Sequence, residues 1–430
     1  MKHGIKKRLS LRKDLGLLQA TACGVGIIVG AGIYVLLGSA TNLAGNSVWL
    51  SFFIAALLAI FTGLSYAELS SMFPQDASEY LYVEEAFNKR LAFIIGYAVI
   101  LGGVISAAAV ALGFAGYLSA LIPYSNLIII GILITLLFSF INFYGIKESS
   151  WLNVVLTTLE VGGLIFIILI SIKSFGSVNY LEMPHGFTGI FNAAALIFFA
   201  FLGFESVVKL SEETKNAKRV IPLALILSII ITTILYILVA ISAVSRLGWE
   251  KLATSKAPLA DVAFIALGSK AFLLLGIVAL FSTGNTILII LITTSRIMYG
   301  MGNQIKKLKF LTKIHKKRRT PYVAIFLTMV FSILFILLGK KIDIVAGITN
   351  FSVFFTFIFI NATLIWLRYK KPRLKRRFKV PLNIGKFPVL ALLGVAACVF
   401  MIYFLEINII IVGAILILVG FLLGYLVKDK

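Results

Sequence analysis

Long apolar runs recur along the whole chain, and they limit it more than any other feature. Twelve stretches are rich enough in apolar residues, near 15–38, 47–71, 90–121, 126–145, 150–172, 190–208, 220–245, 271–301, 321–338, 343–367, 387–405 and 408–427. A helix rises about 1.5 Å per residue, so about 20 such residues cross roughly 30 Å of hydrocarbon. Backbone groups in lipid must be satisfied within the segment, so each run reads as a helix. Composition agrees: 60% of residues are hydrophobic and 13% charged, against about 25% charged in a soluble domain. The short alternating strands of an outer-membrane barrel are not the pattern here.

The first run follows MKHGIKKRLSLRKDLG, which looks like the charged start of a signal peptide. The run is too long for a signal core and lacks a small-residue exit site, so a retained helix is expected. Cys23 and Cys398 fall inside predicted helices and imply neither a disulfide nor a metal site. His3, His185 and His315 fall in the tail and loops. No cofactor and no metal are expected.

A net charge of +23 would suit nucleic acid, but its distribution points to a membrane. Counted on alternate sides of the twelve runs, 33 of the 40 Lys and Arg share one side, and Lys173, Arg246, Lys251, Lys256, Lys270, Lys340 and Lys341 make up the other. The positive-inside rule puts the basic side, and with it both termini, in the cytoplasm of a cell-membrane protein. The basic runs QIKKLKFLTKIHKKRR (304–319) and RYKKPRLKRRFK (368–379) then mark topology and meet anionic headgroups, with no nucleic acid as partner. Loops are at most about 25 residues long, too short for a core of their own, which leaves no room for a catalytic extramembrane domain.

Two runs are interrupted. The first holds GVGIIVGAGIY (24–34), with four glycines in eleven residues. Each glycine costs about 1 kcal/mol in a helix relative to alanine. Two readings stay open: close packing through Gly26-xxx-Gly30, or unwinding at Gly30-Ala31-Gly32. Unwound backbone at this depth is tolerated only beside a cavity or inside protein. The sixth run holds FFAFLGFESVV (198–208), broken by Gly203 and Glu205. Breaks five helices apart point to an inverted repeat with a site between its halves. Two half-helix N-termini would hold a carboxylate and freed carbonyls an ammonium, which suits an amino acid.

Five motifs stand in order: GIIVGAGIY, SYAELSSMFPQDASEYLYVEEAF (65–87), YGIKES (144–149), FFAFLGFESVVKLSEETKNAKRVIPLA (198–224) and SRIMYGM (295–301). With them the chain resembles the amino acid–polyamine–organocation transporter superfamily over nearly its whole length. The resemblance implies an all-α integral membrane protein of LeuT-like fold with twelve transmembrane helices. After a cytoplasmic tail (1–14), helices 1–5 (15–173) and 6–10 (190–367) would be inverted repeats, with helices 11–12 (387–427) added. It implies a secondary amino acid permease working by alternating access. Gly30, Ala31 and Gly32 would offer amides to the substrate carboxylate, and the carbonyls of Ile28, Phe199 and Leu202 would take the amine. Phe199 would be an aromatic lid, Ala200 and Gly203 would complete the broken segment, and Asn285 would line the side-chain pocket. Ser106, Ala107 and Ala108 would leave room for a side chain.

Ionisable residues at mid-depth are costly and therefore functional candidates. Glu160 lies about ten residues into the fifth run, roughly 15 Å deep. Some proton-coupled relatives have a lysine there, so its role stays open: proton carrier, sodium ligand or structural bond. The coupling ion, H+ or Na+, stays open with it. Glu205 is expected to bond freed backbone or to gate. Glu68 and Arg296 are expected near the cytoplasmic face, in an inner-gate or structural ion pair. Glu212 and Glu213, with Lys215, Lys218 and Arg219, read as a solvated loop. An exchanger or a cationic amino acid or polyamine carrier of the same fold is the alternative, whereas a membrane enzyme or channel lacks a supporting cluster or repeat.

Overall fold

The computed structural model describes residues 15–73, 79–122, 126–145, 150–212 and 214–425. The expected tail 1–14, Glu213 of the acidic loop, and motif residues 74–78 and 146–149 lie outside them. The described chain is almost entirely helical. Its first half holds α1 (Leu17–Ile28), α2 (Ala31–Ala44), α3 (Val48–Met72), α4 (Glu79–Ala86), α5 (Lys89–Leu121), α6 (Leu127–Tyr144) and α7 (Ser150–Ser171). After α8 (Gly186–Ile197) come α9 (Ala217–Leu247), α10 (Trp249–Thr254), α11 (Pro258–Leu267) and α12 (Ser269–Gln304). The chain closes with α13 (Tyr322–Gly339), α14 (Ile342–Lys370), α15 (Val389–Tyr403) and α16 (Ile407–Gly424). A two-stranded hairpin, β1 (Asn383–Ile384) and β2 (Phe387–Pro388), precedes α15.

Ten of the described helical segments are long and apolar enough to cross a membrane. One of them, Ala31–Met72, joins α2 to α3 through a bend at Gly45, whose φ of +66° suits glycine. The apolar helices α1, α11 and α15 are shorter. This is a multi-pass membrane protein.

The structure refines the runs in three places. The sixth is interrupted, as expected from its Gly203 and Glu205: α8 gives way to 3₁₀ turns at Phe198–Phe201 and Phe204–Glu212. The loop between the seventh and eighth runs folds into α10 and α11, where Pro258 occupies the first turn of an apolar segment. A short helix, α4, lies between the second and third runs.

In the interior, α5 packs against both α12 and α14, α9 packs against α1 and α3, and α2 rests on α8. Small residues allow this approach, as with the fully buried Ala107, Ala108, Ala109 and Ala111 of α5. Leu133, Phe140, Leu338 and Leu422 point outward instead, as hydrocarbon-facing side chains should.

Glu68 is buried at the end of α3. It accepts Arg368 Nε at 2.9 Å and the backbone N–H of Val380 at 2.7 Å, and Arg376 lies 3.3 Å away. The expected ion pair is therefore with α14 and the following hairpin segment. Arg296 is exposed and takes no part in it. Buried charge needs full pairing, and the arginines of the 368–379 run supply it.

Candidate functional site

Both interrupted helices break where the glycines allow. The α1 helix ends at Ile28, and Val29 and Gly30 are extended (φ −69°, ψ 105° and φ −147°, ψ −154°). Helix resumes at Ala31, so the break sits one or two residues before the centre expected from Gly30-Ala31-Gly32. Gly24 and Gly26 serve the other reading. A Cβ on Gly24 would meet Ser228 Cβ at 2.9 Å, and one on Gly26 would meet Thr157 Cγ2 at 2.5 Å. The four glycines thus divide into two that permit packing and two at the break.

In the second interruption, Leu202 turns away at ψ 140° and Gly203 has φ +111°. Only glycine takes that conformation without strain. A Cβ on Gly203 would lie 2.8 Å from the Ile27 carbonyl oxygen, and one on Gly32 would lie 2.4 Å from Ala200 Cα. The two breaks touch each other through these glycines.

Tyr236 on α9 ties them together. Its buried hydroxyl lies 3.1 Å from Ile28 O and 3.0 Å from Ala200 O, one carbonyl from each broken helix. Asn350 on α14 donates to the carbonyls of Ala195 and Leu196 at 2.8 and 2.7 Å. Carbonyls at a helix end have no intrahelical partner, and these two side chains lie within hydrogen-bond reach of four carbonyls at these ends. Neither was found from sequence. A lone Tyr or Asn within an apolar run was the available clue.

A cavity of about 250 Å³ lies at the meeting point. All the sequence-derived substrate positions line it: Ile28, Gly30, Ala31, Gly32, Phe199, Ala200, Leu202, Gly203 and Asn285. Glu160 and Glu205 line it too. Phe199 is 5% exposed and borders the space rather than lipid. On α5 the wall is Gly102, Gly103 and Ser106. Ala107 and Ala108 fall on other faces of the helix, because residues one or two apart do not share a face.

The end of α2 facing the cavity is a helix N-terminus, whose first amides have no partner in their own helix. Of these, Ala31 N–H donates to Thr286 Oγ1 at 3.3 Å. The second N-terminus differs from expectation. Glu205 Oε2 accepts the Gly203 N–H at 2.9 Å, so a carboxylate of the protein already occupies the start of the Phe204–Glu212 turn.

Glu160 stands midway along α7 and is 2% exposed. Its backbone carbonyl accepts the Tyr34 hydroxyl at 2.7 Å. The side chains of Asn285 and Ser282 on α12 face its carboxylate, while Oε1 keeps no hydrogen bond of good geometry. A third carboxylate was missed from sequence. Glu79 on α4 is buried, accepts the Tyr66 hydroxyl at 3.2 Å and lines the cavity. Among the described residues, three carboxylates and no Lys, Arg or His face this space. No group of three His, Cys, Asp or Glu suited to a metal occurs among the described residues.

Comparison with known proteins gives a consistent picture. The amino acid permease family model matches residues 15–424. A branched-chain amino acid permease of Bacillus subtilis is 30% identical, with 98% of this chain and 94% of that protein aligned. A methylthioribose transporter of the same bacterium is 29% identical over 92% of this chain and 89% of its own length. Mouse cationic amino acid transporter 4 is 30% identical over 84% of this chain, which spans 61% of that protein. The chain belongs to the amino acid permease family. It is a transporter and not an enzyme, and the resemblance to the amino acid–polyamine–organocation superfamily holds.

Proposed function

We propose that this permease is a secondary transporter that moves a free amino acid across the cell membrane by alternating access around the central cavity. In this reading α1 and α2 form one crossing, α8 and the turns after it another, and α15 the eleventh of twelve. Residues 15–173 and 190–367 are the inverted repeats, 387–427 the added pair, and both termini are cytoplasmic. The observation that carries the reading is the contact of two broken helices at one cavity, through Gly32 against Ala200 and Gly203 against Ile27. The α2 N-terminus attracts the substrate carboxylate. The carbonyl ends of α1 and of the Phe198–Phe201 turn, with the nearby carboxylates, attract the ammonium.

Glu160 is the proton-carrying group in this account. It is buried, it faces the cavity, and its Oε1 is free to accept a proton. The side chains of Asn285 and Ser282 stand beside it.

One observation favours a second reading, a cationic amino acid as cargo. The described residues of the cavity wall include Glu79 and Glu160 but no Lys, Arg or His, and a basic side chain would find charge there. The test is thermal stabilisation of the purified protein by each of the twenty free amino acids, since ligands that bind the folded state raise its unfolding temperature. Stabilisation by one chemical class supports a carrier of that class. Lysine and arginine outranking leucine and valine would select the second reading, and no response to any of the twenty would sink both.

A further inference from the structure

Away from the central cavity, α6 and α13 form an apolar groove on the outer wall of the bundle. Leu137, Phe140 and Phe143 line it from α6, and Tyr322, Phe326 and Met329 from α13. Its volume is about 730 Å³. Along α6 the lining runs from Leu136 to Phe143, about 10 Å at the helical rise. Leu137, Phe140 and Phe326 are 51%, 57% and 58% exposed, so the groove opens sideways toward the hydrocarbon.

One end of the groove is closed by a built turn. Thr320 Oγ1 donates to the Phe143 carbonyl at 2.9 Å, which fixes the turn to the end of α6. Within it, the His315 N–H donates to Thr320 O at 2.9 Å and the Arg319 N–H to His315 O at 2.8 Å. The His315 ring packs edge-on to Phe143 and Tyr322, both groove residues. The Arg318 guanidinium lies 4.2 Å from the centre of the Tyr144 ring. The turn presents Lys316, Lys317, Arg318 and Arg319 to the surface, all exposed. The sequence has no Asp or Glu between residues 86 and 147 or between 262 and 342. The described walls therefore carry no carboxylate to offset this charge; the next acidic residue, Glu148, lies outside the described residues.

We propose that the groove binds one anionic glycerophospholipid, with an acyl chain between α6 and α13 and its phosphate on the basic turn at residues 316–319. Apolar wall and cationic end are continuous, at the level where a helix leaves the hydrocarbon, and that matches the two halves of such a lipid. A zwitterionic lipid would fill the groove but bring no net charge to four cations that form no ion pair among the described residues. A second copy docked through the same face would set one basic turn against another, since a two-fold interface uses the same patch on both sides. The site reaches the transport machinery through α12. Asn142 on α6 donates to Ser295 of α12 at 3.3 Å, and α12 carries Asn285 and Thr286 of the cavity wall.

The test places a fluorescent reporter in the groove. The Leu137→Trp protein is reconstituted in phosphatidylcholine vesicles containing an equal fraction of brominated phosphatidylglycerol or brominated phosphatidylcholine. Quenching is read after subtracting that of the parent protein. Brominated phosphatidylglycerol should quench several-fold more effectively. That preference should fall about fivefold for each charge removed in Lys316→Gln and Lys317→Gln. A Leu338→Trp reporter at the far end of α13 should show no preference. Native mass spectrometry of the otherwise unmodified chain, and of the double Gln variant, gives an independent reading. Phosphatidylglycerol should stay bound to the former and be lost from the latter. Equal quenching by the two lipids in the groove, or a preference that survives the double variant, overturns the proposal. Weak quenching by both lipids together with a dimeric mass assigns the groove to a second copy and overturns it equally.

Discussion

The contact between the two broken helices gives a quantitative prediction for Gly32→Ala. A Cβ at this position would sit 2.4 Å from Ala200 Cα, 2.8 Å from Ala200 Cβ and 3.0 Å from Ala200 N. Carbon atoms rest at about 3.5–4.0 Å, so the two segments must part by about 1 Å. They are not free to part, because Tyr236 holds Ala200 O at 3.0 Å and Ile28 O at 3.1 Å. Overpacking of this kind costs about 1–3 kcal/mol, and a weakened hydrogen bond adds about 1 kcal/mol. A penalty of about 2–4 kcal/mol borne by the binding-competent arrangement lowers substrate affinity roughly 30- to 700-fold. The control is Gly162→Ala on α7, where an added Cβ meets nothing within 4 Å and helix propensity makes the change neutral or slightly stabilising. Both variants would be compared by thermal unfolding in detergent and by initial uptake rates in proteoliposomes, normalised to protein. The reasoning is refuted if Gly32→Ala matches Gly162→Ala in both assays.

Three further outcomes follow from the same geometry. Tyr236→Phe removes the hydroxyl shared by two buried carbonyls and should lower stability by about 1–2 kcal/mol, with uptake falling more than the melting temperature alone would account for. Glu68→Gln leaves Arg368 and Arg376 underpaired in a buried site and should cost about 3–5 kcal/mol, seen as poor yield or early unfolding with little effect on substrate affinity in whatever folds. Glu160→Gln should abolish uptake driven by a pH gradient in proteoliposomes while leaving counterflow exchange measurable; unchanged gradient-driven uptake would remove Glu160 from the coupling role.

Sequence reading reached most of this site because its elements announce themselves against an apolar background. Gly30, Gly32 and Gly203 stand out in membrane helices, and a carboxylate such as Glu160 is rare enough at mid-depth to be noticed. The partners of the breaks were harder to see. Tyr236 and Asn350 act through atoms that meet only after helices 36 to 208 residues away have packed. Glu79 lies inside the 65–87 motif but was not singled out, because only the packing of α4 turns it inward against Tyr66. The partner of Glu68 was hidden for the opposite reason. The 368–379 run holds so many basic residues that topology marking accounts for them all, and only packing separates Arg368 and Arg376 as buried. Glu205 meets one of the two readings it was given: it lies two residues after Gly203, close enough for its side chain to fold back on the freed Gly203 amide.

The account rests on the solute lying between the two breaks. A structure of the protein bound to the amino acid that stabilises it most would test this directly. The account predicts its carboxylate against the amides of Gly30, Ala31 and Gly32, its ammonium toward the carbonyls of Ile28 and Phe199, and its side chain toward Ser106 and Asn285. Density for the amino acid elsewhere, with the space between Gly32 and Ala200 unchanged, would contradict it.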